Sequence, residues 1–254
     1  MFTQAETKIW RSLRRRKGRA ATGLFLAEGL RVVAELVAEK SVKAVILCAK
    51  SARNQTVVMD LLERAMNQDH RVEVVRDALI DSIADAVTPQ PVLAIAEVPE
   101  RSWDNIESGL ILVLDSVQDP GNVGTLIRTA AALGVAGVIG VGTVADPWAP
   151  KAVRASAGTV LKVPVLRTDT ADTLAELKRR VVPLWVAGAG GESIGRLSPP
   201  LGSLALALGS EATGVSPELR AQAVRTVGVR MADGVDSLNV AAAGAILLDR
   251  LIRD

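Results

Sequence analysis

The sequence predicts an α/β fold: a parallel sheet covered on both faces by helices, with a smaller α/β domain ahead of it. Three observations carry this expectation. Runs such as Leu110–Leu114 and Leu204–Leu208 are apolar throughout instead of alternating, the pattern of strands buried on both faces. Segments with a helical apolar period separate these runs. The composition, 49% hydrophobic and 23% charged over 254 residues, is that of a folded chain large enough for two cores.

The elements follow in order. Residues 3–17 predict a helix, with Ile9 and Leu13 at i,i+4 spacing. Gly23–Ala27 is a short buried strand, and Glu28-Gly29 opens a helix to about Glu39 with Val32, Val33, Leu36 and Val37 on one face. Ala44–Cys48 is a strand, Thr56–Met66 a helix, Val72–Val75 a strand, Asp77–Ala86 a helix and Val92–Val98 a strand. Residues 1–99 thus read as one small domain. The polar stretch 100–108, without apolar period, reads as a linker, and 109–254 as the main domain.

In that domain Leu110–Leu114 is a strand, 115–121 a loop and Asn122–Leu133 a helix. Gly137–Val141 is a strand, Pro150–Ala157 a short helix, Leu161–Leu166 extended and Thr170–Val181 a helix. Leu184–Ala187 is a strand and 188–202 a loop. Leu204–Leu208 is a strand, Pro217–Ala223 a helix, Thr226–Val229 a strand and Leu238–Ile252 a long helix.

Composition excludes whole classes of chemistry. One Cys leaves no disulfide framework or Cys-rich zinc site, and one His leaves no His-cluster metal site. A serine or cysteine relay would have to run through His70, which lies at a helix–strand connection and reads as a surface-loop residue. Six aromatic residues argue against a nucleic-acid surface built on stacking. The longest apolar runs fall short of the ~20 residues of a membrane span. No apolar signal core opens the chain, so a cytoplasmic protein is expected.

The net charge of +2 hides an asymmetry. Residues 1–31 hold eight basic and two acidic side chains, a net of +6, and the remainder carries −4. Arg11, Arg14, Arg15, Arg16, Lys17 and Arg19 make a dense cluster that lacks the interleaved acids of an ordinary solvated helix. That density suits a phosphate-binding arm.

Three loops in the second region follow strands and carry polar residues among glycines, and ligands of parallel sheets bind at the carboxyl ends of strands. The first is Asp115–Gly124, where Asn122 stands at a helix entrance as a candidate cap. Arg128, six residues on, falls about 240° around the helix from Asn122. Either it is a surface residue, or it faces something other than Asn122's pocket, such as a second subunit or a polyanion. The second is Leu208-Gly209-Ser210-Glu211-Ala212-Thr213-Gly214, which offers either a ligand carboxylate or an exposed turn. The third is Met231–Val240, where Ser237 is the natural N-cap of the last helix and Asn239 falls inside its first turn. Gly188-Ala189-Gly190-Gly191-Glu192-Ser193 resembles a dinucleotide fingerprint but has Ser193 in place of the third glycine, which counts against a nucleotide-dependent oxidoreductase.

Taken in order, these loops resemble the three motifs of the SpoU/TrmH-type RNA 2′-O-ribose methyltransferases of the SPOUT superfamily. Asp119-Pro120-x-Asn122-x-Gly124-x-x-x-Arg128 is similar to the first, Leu208-Gly209-Ser210-Glu211-x-x-Gly214 to the second and Ser237-Leu238-Asn239-Val240 to the third. Residues 151–158 resemble a further family segment, and Phe25-Leu26-Ala27-Glu28-Gly29 the start of the substrate-binding domain of the ribosomal-RNA branch. Arg230 stands where the family usually has Pro, and Pro91 where it usually has Gly.

The resemblance implies a C-terminal α/β-knot, a parallel sheet whose last segment is threaded into a trefoil, and an obligate homodimer. It implies S-adenosylmethionine held around Leu208, Gly209, Val229, Met231, Ser237 and Leu238. It implies methyl transfer to a ribose 2′-oxygen by Arg128, Asn122, Glu211, Ser237 and Asn239, with Arg128 reaching across the dimer interface and no metal. The expected substrate is large-subunit (23S) ribosomal RNA, with transfer RNA as the alternative and no DNA or membrane partner. A non-catalytic RNA-binding or ribosome-assembly factor on the same scaffold is the rival class.

Overall fold

The computed structural model describes residues 2–39, 44–232 and 237–252. The first elements are α1 (Gln4–Ser12), α2 (Arg16–Thr22), β1 (Leu24–Glu28), α3 (Leu30–Ala38), β2 (Ala44–Ala49), α4 (Thr56–Asn67), β3 (Arg71–Val75), α5 (Asp77–Ile83) and β4 (Val92–Glu97). Then come β5 (Leu110–Asp115), α6 (Pro120–Ala132), β6 (Gly137–Val141), α7 (Pro150–Ala155), β7 (Val165–Arg167) and α8 (Thr170–Arg179). The chain continues through β8 (Leu184–Ser193), β9 (Leu204–Gly209), α9 (Pro217–Gln222), β10 (Arg225–Gly228) and α10 (Val240–Leu251).

Two compact units emerge. One holds Met1–Glu100 with Asp146–Lys162, the other Arg101–Ala145 with Val163–Asp254. Residues 146–162, which follow the first methylase-like motif in sequence, pack with the first unit. The segment carries the partners of buried groups in the first unit. Arg19, 6% exposed, sets its Nε and Nη2 on Asp146 Oδ2 at 2.8 and 2.6 Å. Trp148 meets the Phe25 ring at 4.8 Å between centroids. The supposed linker 100–108 also has structure. Trp103–Asn105 forms a 3-10 turn capped by Ser102, Ile106 is buried, and Arg180 holds the carbonyls of Trp103 and Ile106 at 2.6 and 2.9 Å.

In the first unit, four strands in the order β1-β4-β2-β3 form a mixed sheet in which only β2 and β3 run parallel. The expected helix 3–17 breaks into α1 and α2. Leu13 turns fully into the core, and at Gly18 a Cβ would lie 2.2 Å from the Ser12 carbonyl oxygen. A two-residue apolar spacing cannot distinguish a straight helix from such a corner. His70, expected on the surface, is buried, and its Nδ1 accepts the Ala44 N–H at 3.2 Å.

Glu28 is the buried anchor of this unit. Its side chain is 0% exposed. It accepts Arg154 Nη1 at 2.9 Å and the backbone N–H groups of Asp85, Ala86 and Gln90 at 3.3, 3.2 and 3.4 Å. Arg154 also reaches Asp85 at 2.9 Å. Glu28→Ala leaves three amides and one arm of a guanidinium without their acceptor. It is expected to cost about 3 kcal/mol, since breaking a buried pair leaves the other charge uncompensated. A urea melt would show this as a lower midpoint, and a midpoint equal to wild type would dismiss Glu28 as an anchor.

The second unit is one six-stranded sheet, β10-β8-β9-β5-β6-β7, parallel at every pairing. β8 continues through residues 188–193, where the glycines predicted a loop. A Cβ on Gly191 would lie 2.7 Å from the Val227 carbonyl carbon, so this strand approaches β10 at a distance open to glycine. Helix α10 packs closely for the same reason: a Cβ on Gly244 would meet Leu126 of α6 at 2.4 Å and Leu208 of β9 at 2.7 Å.

Candidate functional site

The site lies at the carboxyl ends of β8, β9 and β10, where loops must leave the sheet. A cavity of about 460 Å³ opens there, lined by residues 187–191, the segment Leu208–Gly214 without Ala212, Val227–Val229, Met231, Ser237 and Leu238, with Arg220, Val240, Ala243 and Leu247 around it. Its volume lies within the range of small-molecule sites. All six residues assigned to the cofactor by resemblance, Leu208, Gly209, Val229, Met231, Ser237 and Leu238, line this cavity. Residues 233–236 of the third loop lie outside the described residues.

The loop after β9 is tightly folded. Ser210 and Gly214 form a bridge, the Gly214 N–H donates to the Ser210 carbonyl at 2.9 Å, and the Ser210 and Thr213 hydroxyls are 2.8 Å apart. A methyl group on Gly209 would lie 1.9 Å from the Gly214 carbonyl carbon, so the closure requires glycine there. Asp115, buried at the end of β5, accepts the Ser216 N–H at 2.6 Å and holds the far side of this loop.

Two of the expected caps are displaced. Asp119 caps α6, accepting the Asn122 N–H at 3.0 Å, with Pro120 in the first helical position. That releases the Asn122 side chain. Asn239, not Ser237, caps α10: its Oδ1 accepts the N–H groups of Ala241 and Ala242 at 3.0 and 3.4 Å. A side chain two residues further along reaches the first free amides, because the helix starts at Val240 and not at Leu238.

The cap orients the rest. Since the Asn239 oxygen is committed to the helix, its Nδ2 must face outward, where it donates to Asn122 Oδ1 at 3.1 Å and to Glu211 Oε1 at 3.4 Å. Asn122, accepting on its oxygen, presents its own Nδ2 to Glu211 Oε1 at 2.7 Å. The three loops therefore meet in one polarised ring of two amides and a carboxylate. Every donor in it is directed by the backbone of α10.

Arg128 stands apart. It is exposed on α6 and has no hydrogen bond or ion pair among the described residues, while Asn122 faces Glu211. Ser237 and Glu211 are exposed at the cavity. Arg230 is exposed too and does not line it. Of the basic cluster, Arg19 is withdrawn by its buried ion pair with Asp146. Arg11 donates to Ser82 Oγ at 3.1 and 3.0 Å, and Arg14, Arg15, Arg16 and Lys17 are exposed at the α1–α2 corner. The phosphate arm expected from charge is thus four free cations, with Arg11 beside them. A run of like charges gives no sign of which members face inward.

Sequence reading gave no role in the site to three contributors: the glycine-rich end of β8, set aside as a broken dinucleotide fingerprint, Asp115 within the first loop, and Arg220. The first had a signal, glycine density directly after a buried strand. The other two are polar residues next to apolar ones, a pattern too common to single them out.

Comparison with known proteins identifies the family. Residues 109–249 match the model of the SpoU rRNA Methylase family, and residues 5–94 match the MRM3-like substrate binding domain. The chain is 31% identical over 247 residues to the 23S rRNA (guanosine(2553)-2′-O)-methyltransferase RlmP of Bacillus subtilis, covering 97% of this chain and 95% of that one. The structure of a TrmH-family protein from Porphyromonas gingivalis superposes with a TM-score of 0.84 at 32% identity, covering 98% of both chains. That of the SpoU methyltransferase AviRb from Streptomyces viridochromogenes, in complex with AdoMet, superposes at 0.86 and 26% identity, covering 98% of this chain and 97% of that one.

Proposed function

The chain belongs to the SpoU rRNA Methylase family, and from that premise we propose that it transfers a methyl group from S-adenosylmethionine to a ribose 2′-hydroxyl of 23S ribosomal RNA. One observation carries the reading. The Asn122–Glu211–Asn239 ring closes beside a largely apolar cavity built from strand ends, so a bound small molecule meets an oriented polar site. The 31% identity to a 23S rRNA ribose methyltransferase over nearly the whole chain favours ribosomal over transfer RNA.

The cavity suits the cofactor in size and lining. Backbone around Leu208, Gly209, Val229, Met231, Ser237 and Leu238 would hold it, with glycines letting the main chain approach closely. When bound, S-adenosylmethionine supplies an electrophilic methyl group on a sulfonium.

The protein's share is to orient the ribose oxygen and manage its proton. The ring of Asn122, Glu211 and Asn239, with Ser237 beside it, positions the hydroxyl. Arg128 binds the adjoining phosphate and stabilises the oxygen as it loses its proton. A guanidinium is too weak an acid to serve as a base at neutral pH. Among the described residues Arg128 has no hydrogen bond to the ring of its own chain; following the family resemblance, it serves the ring of a second copy, and the active form is a homodimer. Arg14, Arg15, Arg16 and Lys17, with Arg11 beside them, hold RNA through phosphates. The trefoil threading of the last segment and a cytoplasmic location belong to the same reading. Among the described residues no helix is long and apolar enough to cross a membrane.

Mapping ribose methylation in ribosomal and transfer RNA, with and without the gene, tests the proposal. A 23S position losing its methyl group in the deletion, and regaining it with purified protein and S-adenosylmethionine, is the expected result. Loss confined to transfer RNA would replace the substrate. Cofactor binding with no methylated RNA would leave the assembly-factor reading.

A further inference from the structure

The cofactor cavity carries both signs of charge. Among the described residues that line it there is one carboxylate, Glu211, and one cation, Arg220. S-adenosylmethionine also carries both signs, with a sulfonium and an ammonium beside a single carboxylate. An anion brought into a largely apolar cavity costs several kcal/mol unless a charged or hydrogen-bonding partner receives it.

Resting on the cofactor reading above, we propose that Arg220 receives the carboxylate at the amino-acid end of S-adenosylmethionine. The guanidinium is set for it. Nε donates to the Val215 carbonyl at 2.8 Å, which fixes the plane of the group and leaves both Nη nitrogens without a partner among the described residues. Nη2 lies over Gly214, 2.7 Å from the place of a Cβ, at a backbone φ of +67°. A glycine there gives the guanidinium room to lie against the loop. Arg220 lies against Gly214 at the close of the loop that carries Glu211, which leaves the Glu211 carboxylate for the positive groups of the ligand. Two parallel N–H donors match a carboxylate in a way that a point charge does not.

The test compares two ligands that differ by the carboxylate alone. Calorimetric titration of wild type, Arg220→Met and Arg220→Lys with S-adenosylmethionine and with decarboxylated S-adenosylmethionine separates the contributions. Arg220→Met is expected to weaken S-adenosylmethionine by roughly tenfold to a hundredfold, the range of a lost charge-assisted pair, with less than about a twofold change for the decarboxylated ligand. Arg220→Lys is expected to recover part of the loss. Equal weakening of both ligands would overturn the proposal in favour of a prop beneath Val215. No weakening of either would assign the carboxylate to backbone amides instead. Wild type binding neither ligand would remove the cofactor reading itself, and this proposal with it.

Discussion

Arg128→Ala is expected to slow ribose methylation by roughly a hundredfold to a thousandfold, the range for removing one stabiliser of a developing oxyanion. S-adenosylmethionine affinity should stay within about twofold, because Arg128 touches nothing in the cavity. The azimuth on α6 sharpens this expectation. If Arg128 serves the neighbouring subunit, a mixture of Arg128→Ala and Asn239→Ala chains forms heterodimers with one intact composite site. Random pairing then leaves about a quarter of all sites active, whereas each variant alone is nearly dead. Recovery on mixing supports the composite site. A mixture as inactive as its parents assigns Arg128 to its own chain and removes the argument for dimerisation. Arg128→Lys at near-wild-type rate would show that charge suffices without the planar fork.

Gly209→Ala is expected to abolish measurable cofactor binding. The added methyl would stand 1.9 Å from the Gly214 carbonyl carbon and 2.2 Å from the Val215 nitrogen, and neither backbone atom can rotate away as a side-chain end could. The loop must open, which separates Glu211 from Asn122. Overpacking of this kind costs about 1–3 kcal/mol in stability and more in local geometry. Gly195→Ala is the control, since nothing lies within 4 Å of its Cβ position and its φ is not positive. Calorimetry should find binding lost in the first variant and kept in the second. Equal, unimpaired binding in both would show that the loop closes without its glycine.

Much of this site was legible because its chemistry sits in short loops after apolar strands, where polar residues have few structural tasks. The elements in Leu110–Ala132 and Leu204–Gln222 follow directly from pattern. What escaped has common physical causes. Caps depend on where a helix truly begins, a matter of a few residues, so the cap expected at Ser237 falls on Asn239 and the one expected at Asn122 falls on Asp119. Glycine reads as loop, yet at Gly191 it allows a strand to approach its neighbour. Burial of a polar group depends on a partner remote in sequence. Arg19 finds Asp146, and Glu28 finds Arg154, across more than a hundred residues. No local period records either pair, and the assignment of 146–162 to the first unit could not be read without them.

The strand order carries a further consequence, for the life of the chain before it is finished. β5 pairs on one side with β6, only 27 residues ahead, but on the other with β9, whose first residue lies 94 positions away. During synthesis the edge of β5 at Leu110–Asp115 stays open, apolar and hydrogen-bond hungry until Leu204–Gly209 has emerged. Asn122 waits in the early half while Glu211 and Asn239 arrive in the late one. A protein so ordered folds slowly, because distant pairings are reached only after long loops close. It also completes its polar ring only at the last step: a truncated or stalled chain carries the exposed cations of the α1–α2 corner and no closed ring.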